Sequence, residues 1–525
     1  MLGSRVSLLT NDTHCLTIYP CKHIVDNKSQ NYTPIRETEE GSEMSKREEE
    51  FVKEITSKDE DFSRWYVDVI RKAELADYSS VKGCMIIKPY GYELWENIRD
   101  NLDKRIKETG HRNAYFPLFV PESLLKREAE HVEGFAPEVA WITHGGDEEL
   151  EERMAIRPTS EAIICDAFSQ WIQSWRDLPL LINQWANIVR WEKVTRLFIR
   201  TREFLWQEGH TAHTTAEEAE VEALKMLEVY REFSEDVLAM PVLVGQKTES
   251  QKFPGAVYTY AVEAIMPNGW ALQAGTSHNL GQNFARVFNI QYLDRSQQRQ
   301  YVWQTSWGVT TRLIGGVIMT HGDNSGLILP PEIAPVQAII VPIIFDETKD
   351  LVLTRVDQLL KSLSDGLRVE ADARDEYTPG WKFSEWELKG VPIRIEVGPR
   401  DVRNEQVVLV RRDTREKKVV KEADLRDEME RNLADIQAGL FRRAKEFRDK
   451  NTFEVKSFEE FESIMNGDRG FIRANWCGSA DCENIIKERT SATIRCIPLE
   501  GSSPTGECVF CGKEGRYLVY FAKAY

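Results

Sequence analysis

The first half of the chain alternates between segments with helical and with strand periodicity. Residues 89–109 carry an apolar side chain at every fourth position (Leu94, Ile98, Leu102 and Ile106), which predicts an amphipathic helix. The same reasoning predicts helices at 160–176 and 215–237, a helix with turns within 308–326, and strands at 113–120, 180–191, 200–207, 240–247, 255–266, 269–276 and 298–306. The strands at 180–191 and 200–207 are joined by a short loop, so we expect a hairpin with charges at both ends.

A second pattern begins after the proline-marked linker at 330–335. Strands and short helices now follow one another, with strands predicted at 337–345, 367–371, 391–397 and 405–411 and helices at 349–363 and 380–388. This order predicts a small α/β domain with a mixed sheet. A long charged helix at about 421–449 then leads into a cysteine-bearing tail.

These changes of pattern divide the chain into four parts. Residues 1–60 form a polar extension, because 37–61 is rich in charged residues and poor in apolar ones. We place the larger globular domain at 61–330, the α/β domain at 331–440 and the C-terminal domain at 441–525.

Composition narrows the class of protein. The chain has 525 residues, of which 42% are hydrophobic and 29% charged, as in a globular protein with a substantial core. No apolar run approaches the ~20 residues that cross a bilayer, and residues 1–30 lack the apolar stretch of a signal peptide. We therefore expect no membrane association and a cytoplasmic location.

The formal net charge of −17 excludes a uniformly basic surface. A nucleic acid would have to bind a local basic patch. The candidate patch comprises Arg411, Arg412, Arg415, Lys417 and Lys418, which either follow phosphates or form an ordinary solvated face, since acidic residues interrupt them.

Four cysteines near the C-terminus have the spacing of a zinc site. Four residues separate Cys477 from Cys482, two separate Cys508 from Cys511, and 25 lie between the pairs. Two such pairs make a closed tetrahedral site, and closed sites are structural rather than catalytic. The alternatives are four unrelated cysteines or a site that uses Cys496.

Arginines next to carboxylates form the second candidate site. Arg190 and Glu192 alternate on one predicted strand, and Arg200 lies on its partner, among aromatic residues. Arg312 begins a helix after a predicted strand, and a helix N-terminus with an arginine can bind an anion. Each feature alone could be a solvated face or an ordinary helix start. Neither G-x-x-x-x-G-K-[ST] nor G-x-G-x-x-G occurs, so an ATP site would need another fold.

Together these residues resemble a known family. Arg190-x-Glu192 and Arg312 resemble motifs 2 and 3 of the class II aminoacyl-tRNA synthetases, and the segment ending at Pro117 resembles motif 1, their dimer-interface element. RPTSE (157–161), RTREFLWQEGHTAH (200–213), QAGTSHNLGQNF (273–284) and TSWGVTTRLIGG (305–316) resemble prolyl-tRNA synthetases of the archaeal and eukaryotic type. The resemblance covers about 50–525 and includes EYTPGWKFSEWELKGVPIRIEVGPRD (376–401), in the α/β domain.

The resemblance implies a fold and a set of roles. The fold is an α+β catalytic domain with an antiparallel sheet flanked by helices, an α/β anticodon-binding domain and a small zinc-binding C-terminal domain. Arg190 is implied to contact the α-phosphate of ATP and the proline carboxylate, and Arg312 the γ-phosphate. The other residues implied at ATP and Mg²⁺ are Glu192, Arg200, Thr201, Gln273, Thr276 and Thr310. Those implied at proline are Thr159, Glu161, Phe204, Trp206, His210 and His278.

The implied reaction has two steps. The proline carboxylate attacks the α-phosphorus of ATP and pyrophosphate leaves; a terminal ribose hydroxyl of the tRNA for proline then attacks the adenylate. Positioning and charge stabilisation by arginine and Mg²⁺ suffice, without a protein nucleophile. The resemblance also implies a homodimer. We expect no inserted editing domain, because the predicted elements fill most of the interval between Arg202 and Arg312, which are 110 positions apart.

Alternative interpretations remain at this stage. Phe204 and Trp206 could be core aromatics, and His210 a hydrogen-bonded core histidine. The whole chain could be a synthetase-like paralogue that activates an amino acid for a carrier, or one that serves as a non-catalytic regulator. Such paralogues usually lose the motif arginines or the anticodon domain, and this chain keeps both. A zinc-dependent nucleic-acid binder would leave the cleft motifs unexplained.

Overall fold

The computed structural model describes residues 55–129, 138–467, 469–501, 503–504 and 506–525. Most of the predicted N-terminal extension (1–60) therefore lies outside the described residues. Residues 55–60 are bonded to the folded chain: the Thr56 hydroxyl donates to Asp68 at 2.7 Å, and Lys58 Nζ donates to the Gly322 carbonyl at 2.6 Å.

The described residues form thirteen α-helices and twenty-three strands. The helices are α1 (Phe62–Lys72), α2 (Pro89–Glu108), α3 (Glu122–Ala129), α4 (Glu161–Trp171), α5 (Ala216–Glu232), α6 (Asn283–Val287), α7 (Arg312–His321), α8 (Lys349–Leu363), α9 (Pro379–Leu388), α10 (Pro399–Arg403), α11 (Leu425–Lys450), α12 (Phe458–Asn466) and α13 (Ala480–Thr490). The strands are β1 (Ala76–Tyr78), β2 (Met85–Ile87), β3 (Arg112–Asn113), β4 (Phe119–Pro121), β5 (Trp141–Gly145), β6 (Glu148–Ile156), β7 (Leu180–Val189), β8 (Glu203–His213), β9 (Leu243–Gln246), β10 (Tyr258–Ile265), β11 (Ala271–Gly281), β12 (Gln291–Leu293), β13 (Arg299–Tyr301), β14 (Trp303–Thr310), β15 (Ala338–Pro342), β16 (Val369–Ala371), β17 (Ile393–Val397), β18 (Gln406–Arg411), β19 (Lys417–Lys421), β20 (Thr452–Glu454), β21 (Phe471–Trp476), β22 (Thr493–Pro498) and β23 (Tyr517–Ala522).

One large sheet organises the molecule. Among the described strands its order is β20-β21-β23-β22-β9-β10-β11-β14-β8-β7-β3. From β9 to β7 every pair is antiparallel, and only β3 joins β7 in parallel in that half. Helices α2, α5 and α7 bury their apolar stripes in the main core beside this sheet. The expected antiparallel sheet flanked by helices is confirmed.

Several predicted elements match the structure closely. Helix α2 coincides with the predicted 89–109 helix, and all four residues of its apolar stripe are buried. The predicted hairpin is the antiparallel pair β7–β8. The predicted helix 215–237 is α5 followed by a π-helical turn at Phe233–Val237.

The predicted strand 113–120 is wrong. The segment forms two short strands, β3 in the large sheet and β4 in a separate sheet with β6 and β5, with an irregular stretch between them. A fully buried arginine explains the break, because Arg157 Nη1 donates to the carbonyls of Phe116 at 2.9 Å and Pro117 at 3.2 Å. A guanidinium, not a neighbouring strand, satisfies this backbone.

The α/β domain has the predicted mixed sheet. Its order is β16-β15-β17-β18-β19, with β15 parallel to β16 and β17 and the remaining pairs antiparallel. Helices α8 and α11 close its apolar core. The predicted boundary at residue 440 falls inside α11, which runs on to Lys450.

The C-terminal strands join the large sheet rather than forming a detached module. Strand β22 pairs antiparallel with β9, with Ile497 opposite Gln246 and Pro498 opposite Gly245. The backbones approach so closely that a Cβ on Gly245 would lie 2.3 Å from the Ile497 carbonyl oxygen. A glycine at this position therefore allows the two parts of the sheet to meet.

Candidate active site

A cavity of about 370 Å³ opens on the face of the large sheet formed by β8, β14 and β11. Every predicted cleft residue lines it. These are Thr159, Glu161, Arg190, Glu192, Arg200, Thr201, Phe204, Trp206, His210, Gln273, Thr276, His278, Thr310 and Arg312. Residues that are up to 153 positions apart in sequence (159 to 312) are thus brought together by the pairing of β8 with β14 and of β14 with β11.

The first arginine cluster was predicted on strands, but it lies on the loop between β7 and β8. Arg190 and Glu192 follow the end of β7, and Arg200 precedes β8. Arg190 Nε donates to the Pro158 carbonyl at 3.1 Å, and Arg200 Nε lies 3.7 Å from Glu192 Oε1. The position outside the ladder leaves both guanidinium groups able to face the cavity.

Arg190 is also held by aromatic rings. Its guanidinium carbon lies 5.8 Å from the Phe204 ring centre and 5.7 Å from the Trp206 ring centre. Both rings line the cavity, so these residues serve the cleft as well as packing against one another at 6.3 Å. Such cation–π contacts orient a cation without neutralising it.

Arg312 is the first residue of α7, and one residue separates it from the end of β14. Its Nε donates to the Ile199 carbonyl at 3.1 Å and its Nη1 to the Gln273 carbonyl at 3.5 Å. Burial, and the charges of Arg200 and Arg190, lower the pKa of Arg312 to about 10. Three mutually repelling guanidinium groups in one cavity are electrostatically suited to a polyanion.

A carboxylate network forms the other end of the cavity. Glu161 begins α4, and its carboxylate accepts from the Thr159 hydroxyl. Glu208, on β8, accepts from the Ser160 hydroxyl and from Gln184 Nε2. This end therefore offers two buried carboxylates within a dense set of hydrogen bonds.

The network raises the pKa of His210. Its Nε2 lies 3.1 Å from Glu208 Oε2. Burial disfavours the imidazolium, but the hydrogen bond and charge of Glu208, with the charge of Glu161, outweigh burial and raise the pKa of His210. Glu208 therefore favours the imidazolium form of His210.

His278 behaves in the opposite way. Its Nδ1 lies 3.0 Å from the Thr259 hydroxyl, and its ring centre is 4.7 Å from that of Phe253. Burial lowers its pKa to about 4, with Glu161 and His210 acting in opposite directions. His278 is therefore neutral at pH 7.

The sequence interpretation missed several cavity residues. They include Glu208, the loop residues Gln251, Lys252, Phe253 and Pro254, and Ser306 and Trp307 of β14. Glu208 had a usable signal, because Phe204, Trp206, Glu208 and His210 alternate along β8 and side chains two apart share a face. The loop 251–254 carries no periodic signal.

The four predicted cysteines come together. Their sulfur atoms all lie within 4.8 Å of one another, with Cys477 Sγ 3.6 Å from Cys482 Sγ and 3.7 Å from Cys511 Sγ. A tetrahedral zinc ion with Zn–S bonds of ~2.3 Å separates its sulfurs by about 3.8 Å, so the donor set fits. Cys508 completes the group. Cys496 is buried on β22 and does not belong to it.

The basic candidate patch is largely paired with carboxylates. Arg411 lies 2.6 Å from Asp435, and Lys418 lies 2.5 Å from Glu428. Arg412 is buried and donates to both oxygens of Asp323, at 2.6 and 2.9 Å. Beside them lies a cavity of about 110 Å³, whose lining includes Trp386, Glu387, Arg394, Arg411, Arg412, Arg415 and Lys417.

Three family models match the chain. "tRNA synthetase class II core domain (G, H, P, S and T)" matches residues 141–321, "Anticodon binding domain" matches 337–432, and "Prolyl-tRNA synthetase, C-terminal" matches 458–525. None of the three describes an editing domain.

Whole-chain comparisons agree with these models. A proline–tRNA ligase of Natranaerobius thermophilus is 59% identical over 484 residues, covering 92% of this chain and 100% of the relative. One of Alkaliphilus oremlandii is 58% identical over 482 residues, with coverage of 92% and 100%. The crystal structure of prolyl-tRNA synthetase from Cryptosporidium parvum, complexed with halofuginone and AMPPNP, is 43% identical with a TM-score of 0.84, covering 90% of this chain and 96% of that one. Within the described residues, no helix is long and apolar enough to span a membrane.

Proposed function

The chain belongs to the prolyl-tRNA synthetases, class II enzymes that use ATP to attach proline to tRNA, and we propose that the cavity on β8, β14 and β11 is where proline and ATP react. The observation that carries this proposal is the convergence of all the sequence-selected cleft residues on one cavity. The alternatives of a carrier-charging paralogue and a non-catalytic nucleic-acid binder give way to the matches with proline–tRNA ligases, which cover 92% of this chain and the full length of the relatives.

The arginine end of the cavity binds ATP in this proposal. Arg190 contacts the α-phosphate, and Arg312, held by two backbone carbonyls, contacts the γ-phosphate. Charge grows on the phosphoryl oxygens in the transition state, and preorganised guanidinium groups stabilise it without reorganisation. The remaining residues assigned to adenosine, phosphates and catalysis are Glu192, Arg200, Thr201, Gln273, Thr276 and Thr310. Class II synthetases use Mg²⁺ with ATP, and we assign its support to Gln273; the ion supplies further charge neutralisation.

The carboxylate end binds proline. Glu161 accepts from the charged secondary amine, and the rings of Phe204 and Trp206 enclose the methylene groups. Thr159, His210 and His278 complete the pocket. The carboxylate of proline then points toward Arg190, which lies between the two ends because it contacts both aromatic rings. This orientation supports direct attack by the carboxylate on the α-phosphorus.

The four-cysteine cluster holds a structural zinc ion in this proposal. The support is the donor set, four sulfurs at the spacing of a tetrahedral site, which leaves no open position for a reacting water. Cys477, Cys482, Cys508 and Cys511 would each supply one thiolate.

The α/β domain meets the anticodon region of the tRNA in this proposal. Residues 331–440 serve as the anticodon-binding domain, 61–330 as the catalytic domain and 441–525 as the zinc-binding domain. The cationic cavity beside Trp386 supports a contact with RNA there, because arginines and an aromatic ring suit phosphates and bases.

We further infer a cytoplasmic homodimer. The support for the dimer lies in exposed aromatic side chains around the segment that resembles motif 1: Tyr115 is 74% exposed, Phe119 47%, Trp171 49% and Trp141 39%. An exposed aromatic cluster of this kind suits a protein interface. Sedimentation of the purified protein tests the dimer, and Tyr115→Ser with Phe119→Ser should weaken it.

Proline-dependent exchange between ATP and pyrophosphate, followed by charging of the tRNA for proline, tests the proposed site. Glu161→Gln and Arg312→Ala should each reduce exchange without loss of fold. Full exchange activity of both variants would contradict the assignment of this cavity. Reduced activity of only one variant would restrict the assignment to the end of the cavity where that residue lies.

A further inference from the structure

A buried group of three charged side chains lies where the C-terminal strands join the catalytic sheet. Glu263 of β10 is fully buried, and Lys247 and Arg495 are each more than nine-tenths buried. Arg495 belongs to β22, 232 residues further along the chain than Glu263. The C-terminal domain therefore delivers a cation to the interior of the catalytic domain.

The contacts of this group are short and numerous. Arg495 Nη2 donates to Glu263 Oε1 at 2.9 Å and Oε2 at 3.0 Å, and its Nε donates to Oε2 at 3.1 Å. Lys247 Nζ donates to Glu263 Oε1 at 2.5 Å and to the Arg495 carbonyl at 2.7 Å. Thr493 accepts from Arg495 Nη1 at 2.9 Å. Both oxygens of Glu263 are thus fixed by two cations.

Glu263 is placed next to the phosphate end of the cavity. It lies directly opposite Gln273 in the β10–β11 pairing, at a bulge, and opposed residues project from the same face of a sheet. Gln273 lines the cavity, and its carbonyl accepts from Arg312. The charges of Glu263 and Arg495 also influence the pKa of Arg312, in opposite directions. A line of contacts therefore runs from Arg495 through Glu263 and Gln273 to Arg312.

We propose that Arg495 is a positioning residue for ATP: by clamping Glu263 it fixes the β10–β11 bulge that carries Gln273, whose carbonyl holds Arg312 of α7 for the phosphates. The C-terminal domain thereby takes part in adenylate formation although none of its side chains lines the cavity within the described residues. This inference rests on the proposed role of Arg312 at the γ-phosphate. Within the described part of the chain, the side-chain hydrogen bonds of Lys247, Glu263 and Arg495 reach none of the residues assigned to proline.

The test compares Arg495→Met and Arg495→Lys in proline-dependent exchange, with ATP and proline varied separately. A small displacement of a positioned group is costly, so Arg495→Met should raise the KM for ATP by about tenfold and change the KM for proline less than twofold. Arg495→Lys keeps the charge and should recover part of the loss. The control is Arg489→Met, which removes a bidentate pair with Glu462 on the surface of the same domain and should leave both KM values unchanged.

A milder variant keeps the proposal testable if Arg495→Met does not fold. Thr493→Val removes only the hydroxyl that orients Arg495 and should give a smaller rise in the KM for ATP. Folded Arg495→Met with an unaltered KM for ATP, or equal changes in both KM values, would overturn the proposal. Arg312→Ala separates the two hypotheses, because normal exchange in that variant refutes the phosphate role of Arg312 itself.

Discussion

Replacing Arg312 with alanine should reduce adenylate formation by roughly 10²–10³, the effect of one lost transition-state donor. In the described part of the chain its guanidinium bonds only to two carbonyl oxygens, those of Ile199 and Gln273, and no carboxylate pairs with it. Its charge is therefore available to an anion. Since Arg200 and Arg190 repel it, its removal also relieves repulsion in the cleft, and we expect the lower end of that range.

Initial rates of proline-dependent exchange measure this effect at saturating proline with ATP varied. Arg312→Lys should be intermediate, because it keeps the charge but loses the planar fork. The control is Arg431→Ala on the exposed face of α11, which also removes one arginine and should leave the exchange rate unchanged. Thermal unfolding of Arg312→Ala should be unchanged or shifted upward. A near-normal exchange rate in a folded Arg312→Ala enzyme would remove this residue from the phosphate site.

Four further predictions follow from the same structure. Glu161→Ala should raise the KM for proline far more than that for ATP, and equal losses for both substrates would count against the proposed pocket. Cys508→Ser should lower both bound zinc and thermal stability, whereas Cys496→Ser should leave bound zinc unchanged; a full equivalent of zinc in Cys508→Ser would contradict the four-ligand site. Alanine lacks two ring methylenes of proline, and a pocket discriminates by only ~1–3 kcal/mol per missing methylene, so the enzyme should activate some alanine. It should not hydrolyse added proline-specific tRNA that carries alanine. Hydrolysis that a mutation in this chain abolishes would reveal an unrecognised editing site. Burial lowers the pKa of His321 from 6.5 to about 4, so between these pH values the unfolded chain binds a proton at His321 that the folded chain does not bind. The free energy of unfolding therefore falls as the pH drops from 6.5 to 4. Denaturant titrations of His321→Asn should show a smaller fall over the same pH range.

Most helices and strands, and most residues of the cleft, could be predicted from the sequence. The apolar stripe of α2 could be predicted because its apolar positions repeat at helical spacing, and all of them are buried. The cleft could be assigned because motif residues have chemistry that does not depend on the exact boundary of a strand. Arg190 and Arg200 were predicted on strands and lie on a loop, yet both still line the cavity.

Interactions between distant segments could not be predicted from local patterns. Arg157 breaks the expected strand 113–120 from 40 residues away, by satisfying the Phe116 and Pro117 carbonyls itself. The pairing of β22 with β9 and the ion pair of Arg495 with Glu263 likewise depend on tertiary register. A local window contains no signal for such contacts, since neither partner alters the periodicity of its own segment.

The cleft reconciles an acidic protein with two polyanionic substrates. At a formal net charge of −17 the overall field repels both ATP and tRNA, so attraction has to come from local groups. In the proposed site Arg190, Arg200 and Arg312 supply it, and the charges of Arg200 and Arg190, together with burial, lower the pKa of Arg312. In the α/β domain most of the basic residues of 411–418 already pair with carboxylates. RNA that binds this domain must compete with these ion pairs. Specific contacts with a complementary RNA shape are therefore favoured over general attraction to phosphate.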